Sequence, residues 1–428
     1  MESEFEFPYG NSSLKASIPT KNITFILNKE DAKGLENEQE AIANSLRAPI
    51  ERPGLSNCVE KDDKVVVIVT DNTRPCPDDK LLPPILAELE RKVPRENITV
   101  LVALGLHPPL DTQGLTKKLG RNIVENYNVM NHDVNQTVTI GTTSRGNTVD
   151  MNRKVVEADF RISTGLIEPH FFAGFSGGRK SIAPGVFSLR SAYENHSYKM
   201  IEHPHARSGI LKGNPIHEDM VEQARIAKLD FIVNVLLNGR KEITDVLAGD
   251  PIKAHEMGCV IARGRAGVRV NHKVDISITT NGGTPLDMDL YQTCKGIDNA
   301  SQITRDGGII IIASSCSTGV GPETFKKLHS SVNSPKEVLQ KIRREEPIGV
   351  QWQNQILAHA QLRNDVYLLS SLKDSVVKDM MMVPIRTVEE GLEKGFQVLG
   401  RDAEVGIVPE GPSVLLLLDD HTIGHHDY

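Results

Sequence analysis

Residues 169–185, PHFFAGFSGGRKSIAPG, place His170, Arg179, Lys180, Ser181 and four glycines within seventeen positions. The run approaches the phosphate-binding pattern GxxxxGK[ST]. That loop needs glycine directly before its lysine and follows a strand directly, so that backbone N–H groups wrap the phosphates. Here Arg179 stands before Lys180, and EPHFFAGF intervenes after the nearest strand-like run. Lys180 is then a covalent attachment point or a phosphate contact. Gly174, Gly177 and Gly178 would let backbone lie close to a ligand.

Four more stretches carry candidate chemistry. In TDNTRP (70–75), Asp71, Asn72 and Thr73 are helix-capping types, and Arg74 offers a fork for phosphate or carboxylate. The alternative is an ordinary cap beside a surface arginine. His107, in ALGLHPPL (103–110), ends an apolar run within a Gly-Pro loop, a position suited to acid–base work or to plain packing. His196, His203 and His205 follow in NHS and HPHARSG. Imidazole suits Zn, Cu, Fe and Ni, yet no HExxH motif or CxxC pair accompanies them. In LYQTCKG (290–296), Gln292 and Lys295 lie three apart and would share a helix face. Trp352, the one tryptophan, could wall a pocket or fill a core.

The elements that must position these residues are legible as apolar runs. KVVVIVTD (64–71), NITVLVALG (97–105), FRISTG (160–165), FIVNVLLN (231–238), DISITTNGG (275–283), GGIIIIASS (307–315), VYLLSSL (366–372) and PSVLLLLDD (412–420) alternate with helical patterns such as LLPPILAELERKV (81–93). Continuous Val/Ile/Leu runs between helices predict mainly parallel sheets in an α/β fold. Ligands in such sheets sit at the carboxyl ends of strands, where TDNTRP and NGGTP fall. The polar, basic stretch GRAGVRVNHKV (264–274) marks a boundary, giving domains of residues 1–270 and 271–428.

The chain has 428 residues, 39% hydrophobic and 25% charged, with formal charge −7. That balance gives no general affinity for nucleic acid or acidic membranes. The five scattered cysteines predict reduced thiols, and the acidic, h-region-free N-terminus predicts a cytoplasmic protein.

Taken in order, DNTRP, GLHPP, PHFFAGFSGGRKSIAPG, NHS, YQTCKG and Trp352 resemble the nickel-dependent lactate racemase family, from FPYGNSSLKASIP to the C-terminal region. The resemblance implies two α/β domains with an active site in the cleft between them. It implies a cofactor, the nickel pincer nucleotide (pyridinium-3,5-bisthiocarboxylic acid mononucleotide), joined covalently to Lys180, with His196 a nickel ligand. It implies His107 and His170 as the acid–base pair. Asp71 and Thr73 would contact the cofactor with Gly174, Gly177 and Gly178, and Arg74, Tyr291, Gln292, Lys295 and Trp352 the substrate. Cofactor-synthesis proteins would be partners. Pro108 and Pro109 follow His107 where lactate-specific members carry a basic residue, so the implied activity is racemisation or epimerisation of a 2-hydroxy acid. Lactate, malate, 2-hydroxyglutarate, aryl-lactates, longer aliphatic acids and sugar acids all fit. A P-loop-like nucleotide binder at Lys180 and a zinc hydrolase using His196, His203 and His205 are the competing readings.

Overall fold

The computed structural model describes residues 1–418, which form two compact units, each with its own mainly parallel sheet. One unit comprises Asp31–His196 and His203–Arg265. The other takes Met1–Glu30, Ser197–Glu202 and the chain from Ala266 onward.

The first unit is built on six strands in the order Ile243–Gly249, Phe231–Leu237, Phe160–Leu166, Val65–Thr70, Ile98–Ala103, Asn128–Asn131. All are parallel to their neighbours except Ile243–Gly249, which runs antiparallel to Phe231–Leu237. The apolar runs are continuous because the central strands are covered on both faces. Val65, Val67 and Val69 pack with Ile85, Leu86 and Leu46 of the helices Asp78–Leu89 and Glu38–Arg47, in one core.

The second unit carries six strands, all parallel, in the order Val383–Ile385, Asp365–Leu369, Thr304–Ala313, Val274–Thr280, Val405–Val408, Ile23–Ile26. The last of these comes from the N-terminus, so the division at residue 270 needs correction. Ile23 and Ile26 pair with Val405 and Ile407, and the hairpin Glu2–Tyr9/Ser12–Pro19 buries Phe7, Ala16 and Ile18 against Ile276, Ile309 and Leu392. The helix Tyr198–Glu202 also belongs here: Gln355 Nε2 donates to Tyr198 O and Glu202 Oε2, both at 3.1 Å. Of PSVLLLLDD (412–420), Leu415–Leu418 is a strand parallel to Gly267–Val270, and residues 419–420 lie outside the described residues.

Among the described residues, no helix is long and apolar enough to cross a membrane.

Candidate active site

Phe160–Leu166, Val65–Thr70 and Ile98–Ala103 are adjacent parallel strands, and the segments after their carboxyl ends carry His170 with Lys180, Asp71 with Arg74, and His107. This is where an open α/β sheet presents a ligand site. Two of the segments are tied directly, Gly105 N–H donating to Gly185 O at 2.9 Å.

Asp71 does not cap a helix, contrary to the sequence expectation. The following helix begins at Asp78, with Pro77 at its N-cap. Asp71 instead lies buried, with Oδ2 2.5 Å from His107 Nδ1 and Oδ1 accepting the Thr73 hydroxyl at 2.7 Å. Burial opposes its charge. The hydrogen bond with His107, the charges of His107 and Arg74 and the Thr73 hydroxyl outweigh burial and hold the carboxyl below its ordinary value. An ionised Asp71 can only accept, so His107 Nδ1 donates and Nε2 is left as the basic nitrogen.

Beneath this loop is a buried pair that the sequence reading missed. Lys118 Nζ lies 2.9 Å from Asp78 Oδ2 and donates to the carbonyls of Arg74 (3.1 Å) and Cys76 (2.8 Å). Asp78 also accepts the hydroxyls of Thr70 (2.6 Å) and Thr164 (2.5 Å). Burial works against the Lys118 ammonium, but Asp78 and Cys76 raise its pKa above the usual lysine value. The pair fixes the backbone that carries Arg74. A lysine on the helix Thr112–Leu119 and an aspartate at a helix start look like solvated charges in sequence, and only the fold brings them together.

His170 sits on a two-residue strand, Pro169–His170, paired antiparallel with Gly174–Phe175. The Ala173 N–H points at His170 Nδ1 from 3.3 Å, which puts the proton of the neutral ring on Nε2. The two histidines therefore present opposite Nε2 states, one bare and one protonated.

Phe172 organises the rest, and sequence reasoning passed it over as an ordinary apolar residue. Its ring lies edge-on to His170 (4.6 Å) and His196 (5.0 Å), and Lys180 Nζ sits over it at 5.5 Å. Burial, then the nearby Lys180 charge, holds His196 well below the usual imidazole pKa and so neutral. Lys180 occupies the 3-10 turn Gly178–Ser181, reached only after the Pro169–Phe175 ribbon, so the backbone is not that of a P-loop.

The three glycines have an explanation within the chain. Gly174, Gly177 and Gly178 have φ of 77°, 77° and 52°, and side chains there would meet Ile210 O, Asn234 Oδ1 and the His255 ring. Protein atoms, not space reserved for a ligand, exclude a Cβ at these positions. His203 and His205 pair with each other, ring centroids 5.5 Å apart. Among the described residues no group of three or more His, Cys, Asp or Glu side chains is arranged to hold a metal, so the three-histidine zinc reading is not supported.

In the second unit, Tyr291, Gln292 and Lys295 lie on the helix Leu290–Ile303, which Asp289 caps by accepting Gln292 N–H at 2.7 Å. Gln292 is buried and its Oε1 has no hydrogen-bond donor among the described residues. Trp352, also buried, opens the helix Gln351–Arg363, which packs on the first through Gln353 Nε2 donating to Tyr291 O at 2.6 Å.

Fold and site together define a two-unit α/β protein with two histidines and a lysine on the loops that follow adjacent parallel strands. Residues 9–209 match the lactate racemase N-terminal domain, and residues 270–416 the lactate racemase C-terminal domain. The chain is 37% identical to the lactate racemase of Thermoanaerobacterium thermosaccharolyticum over 423 residues, 97% of this chain and 99% of that protein. It is 37% identical to the lactate racemase of Lactiplantibacillus plantarum over 420 residues, 96% and 99% of the two chains. The solved lactate racemase apoprotein from T. thermosaccharolyticum superposes with a TM-score of 0.92 at 36% identity, covering 97% of this chain and all of that one. A Thermotoga maritima protein shares the fold alone, with a TM-score of 0.66 at 19% identity over 92% of this chain and 100% of that one. The chain belongs to the lactate racemase family, and with it to the isomerases.

Proposed function

We propose that the chain interconverts the enantiomers of a small 2-hydroxy acid, lactate first among them, with His107 and His170 as the acid–base pair. The observation that carries this reading is the opposite partner at the two Nδ1 atoms, a carboxylate at His107 and a backbone N–H at His170, which sets opposite tautomers of the neutral rings. Asp71 holds His107 with a bare Nε2, while the Ala173 N–H holds His170 with a protonated one. One accepts a hydroxyl proton and the other returns a proton to the oxygen, as inversion at one carbon requires.

The residues fit the family cofactor, a nickel pincer nucleotide. Lys180 offers a half-buried amine for a thioamide link, and His196 a neutral imidazole suited to nickel. Asp71 and Thr73 would contact the same group, with Gly174, Gly177 and Gly178 holding the tether segment. When bound, the group supplies a reversible hydride acceptor. That matters because the Cα–H of a hydroxy acid is too weakly acidic to leave readily as a proton. His107 Nε2 takes the hydroxyl proton as the Cα hydrogen leaves with its electron pair. Arg74 holds the carboxylate while the planar keto acid turns. Gln292 Oε1, a buried acceptor, suits the substrate hydroxyl, with Lys295, Tyr291 and Trp352 as further substrate contacts. His170 Nε2–H then protonates the oxygen as hydrogen returns to the opposite face. For that step Nδ1 first takes up a proton from solvent, which breaks the long Ala173 contact, and the imidazolium is left as a neutral ring once Nε2 has given its proton to the oxygen. Nickel, the nucleotide and the cofactor-synthesis proteins are all part of this proposal.

The test uses protein made in cells that also make the cofactor. Pure L-lactate is expected to become a mixture of both enantiomers, resolved by chiral chromatography. Lys180→Ala, made in the same way, is expected to fold, carry no covalent mass addition and convert nothing. A mass addition surviving in Lys180→Ala would rule out the tether. Failure of the loaded wild type to invert any 2-hydroxy acid would rule out the function.

A further inference from the structure

Within the first unit is a cavity of about 340 Å³ lined by none of the residues that the proposed reaction uses. Its lining includes Arg179, the residue before Lys180. Arg179 is 3% exposed, donates to Ala173 O (2.7 Å) and Gly177 O (3.3 Å), lies 2.8 Å from His255 Nε2, and has no partner for Nε. No carboxylate pairs with it among the described residues. A buried cation without a counter-charge is costly, and here it faces a cavity.

The other charges lining the cavity sharpen the point. Its three carboxylates each have a cationic partner: Asp250 pairs with Arg52 (3.9 Å), which also lines the cavity, Asp230 with Arg161 (3.7 Å) and Glu256 with Lys253 (3.1 Å). Arg225 and Lys228 are exposed and have no ion-pair partner among the described residues. His217 lies stacked on His255 with centroids 6.4 Å apart, and its Nδ1 is buried without a hydrogen-bond partner. Besides the Arg52–Asp250 pair, three cations without a carboxylate partner among the described residues and an orphaned imidazole nitrogen thus line a space of ligand size.

We propose that this cavity is a second binding site, for a small oxyanion of the phosphate or carboxylate class, its charge seated against Arg179 and between Arg225 and Lys228. Guanidinium groups bind both anions through paired N–H donors, so the shared chemistry is the oxyanion.

Titration calorimetry on the full-length protein tests this with three probes: inorganic phosphate, glycerol 3-phosphate and citrate. At least one is expected to bind, and a response confined to the phosphates or to citrate identifies the source. Because Arg179→Gln can fail to fold, the deciding variant carries Arg225→Ala and Lys228→Ala, both at exposed positions. It should weaken binding at least ~10-fold, on the scale of one charge-assisted hydrogen bond. Arg74→Ala, in the loop site, should leave binding unchanged. Absence of binding by all three probes overturns the proposal. So does binding that Arg74→Ala abolishes and the double variant preserves.

Discussion

Asp71 sets the tautomer of the neutral His107 ring as well as its position. Its two oxygens are divided between the His107 ring and the Thr73 hydroxyl, so the carboxylate, not the imidazole alone, decides which nitrogen is basic. Asp71→Asn keeps the shape but lets an amide N–H meet Nδ1, moving the ring proton to Nε2. Racemisation by the loaded enzyme is expected to fall at least ~100-fold, the scale of losing a general base. The fold should be unchanged by circular dichroism, and His107→Ala should lose a similar factor. Near-normal turnover in Asp71→Asn would mean that His107 does not act as the base. The types of His107, His170 and Lys180 were legible as candidates because each sits in a Gly- or Pro-bearing loop. Asp71's partner was not, since a DNT triplet reads equally as a cap. Phe172 and Lys118 left no signal: an aromatic residue and a lysine acquire meaning only from what packs against them.

At the level of elements, the continuous apolar strands were legible, while Glu2–Tyr9 and Val405–Val408 were not. Val65–Thr70 and Phe160–Leu166 are buried almost throughout, which makes their apolar runs continuous. Glu2–Tyr9 alternates in burial and reads as a polar tail, and Val405–Val408 is only four residues long. Glycine-rich loops mislead in another way, because a ligand cradle and tight packing call for the same residue. Gly174 distinguishes them: φ is +77°, and an added Cβ would lie 2.3 Å from Ile210 O. Gly174→Ala should therefore cost roughly 1–3 kcal/mol from the left-handed backbone alone, with the clash adding to it. Chemical denaturation of the cofactor-free protein measures this directly. An unchanged midpoint would return Gly174 to the role of a ligand cradle.

Over the whole molecule, sequence order and spatial order part company. The first thirty residues fold with the unit that contains the C-terminal sheet, because Ile23–Ile26 completes that sheet beside Val405–Val408. Reading along the chain placed them with their neighbours, since no local pattern announces a pairing so distant in sequence. The boundary near GRAGVRVNHKV was easier to see: the helix Lys253–Ala266 ends there and the strand Gly267–Val270 begins. Both units carry residues that the proposed reaction uses, and its central claim is that the Cα hydrogen moves as hydride and never exchanges with solvent. The direct measurement is conversion of L-lactate by the loaded enzyme in D2O, with the D-lactate product isolated and its Cα position read by NMR. The account predicts D-lactate that retains protium at Cα. Deuterium at Cα in stoichiometric amount would show proton abstraction instead and contradict it.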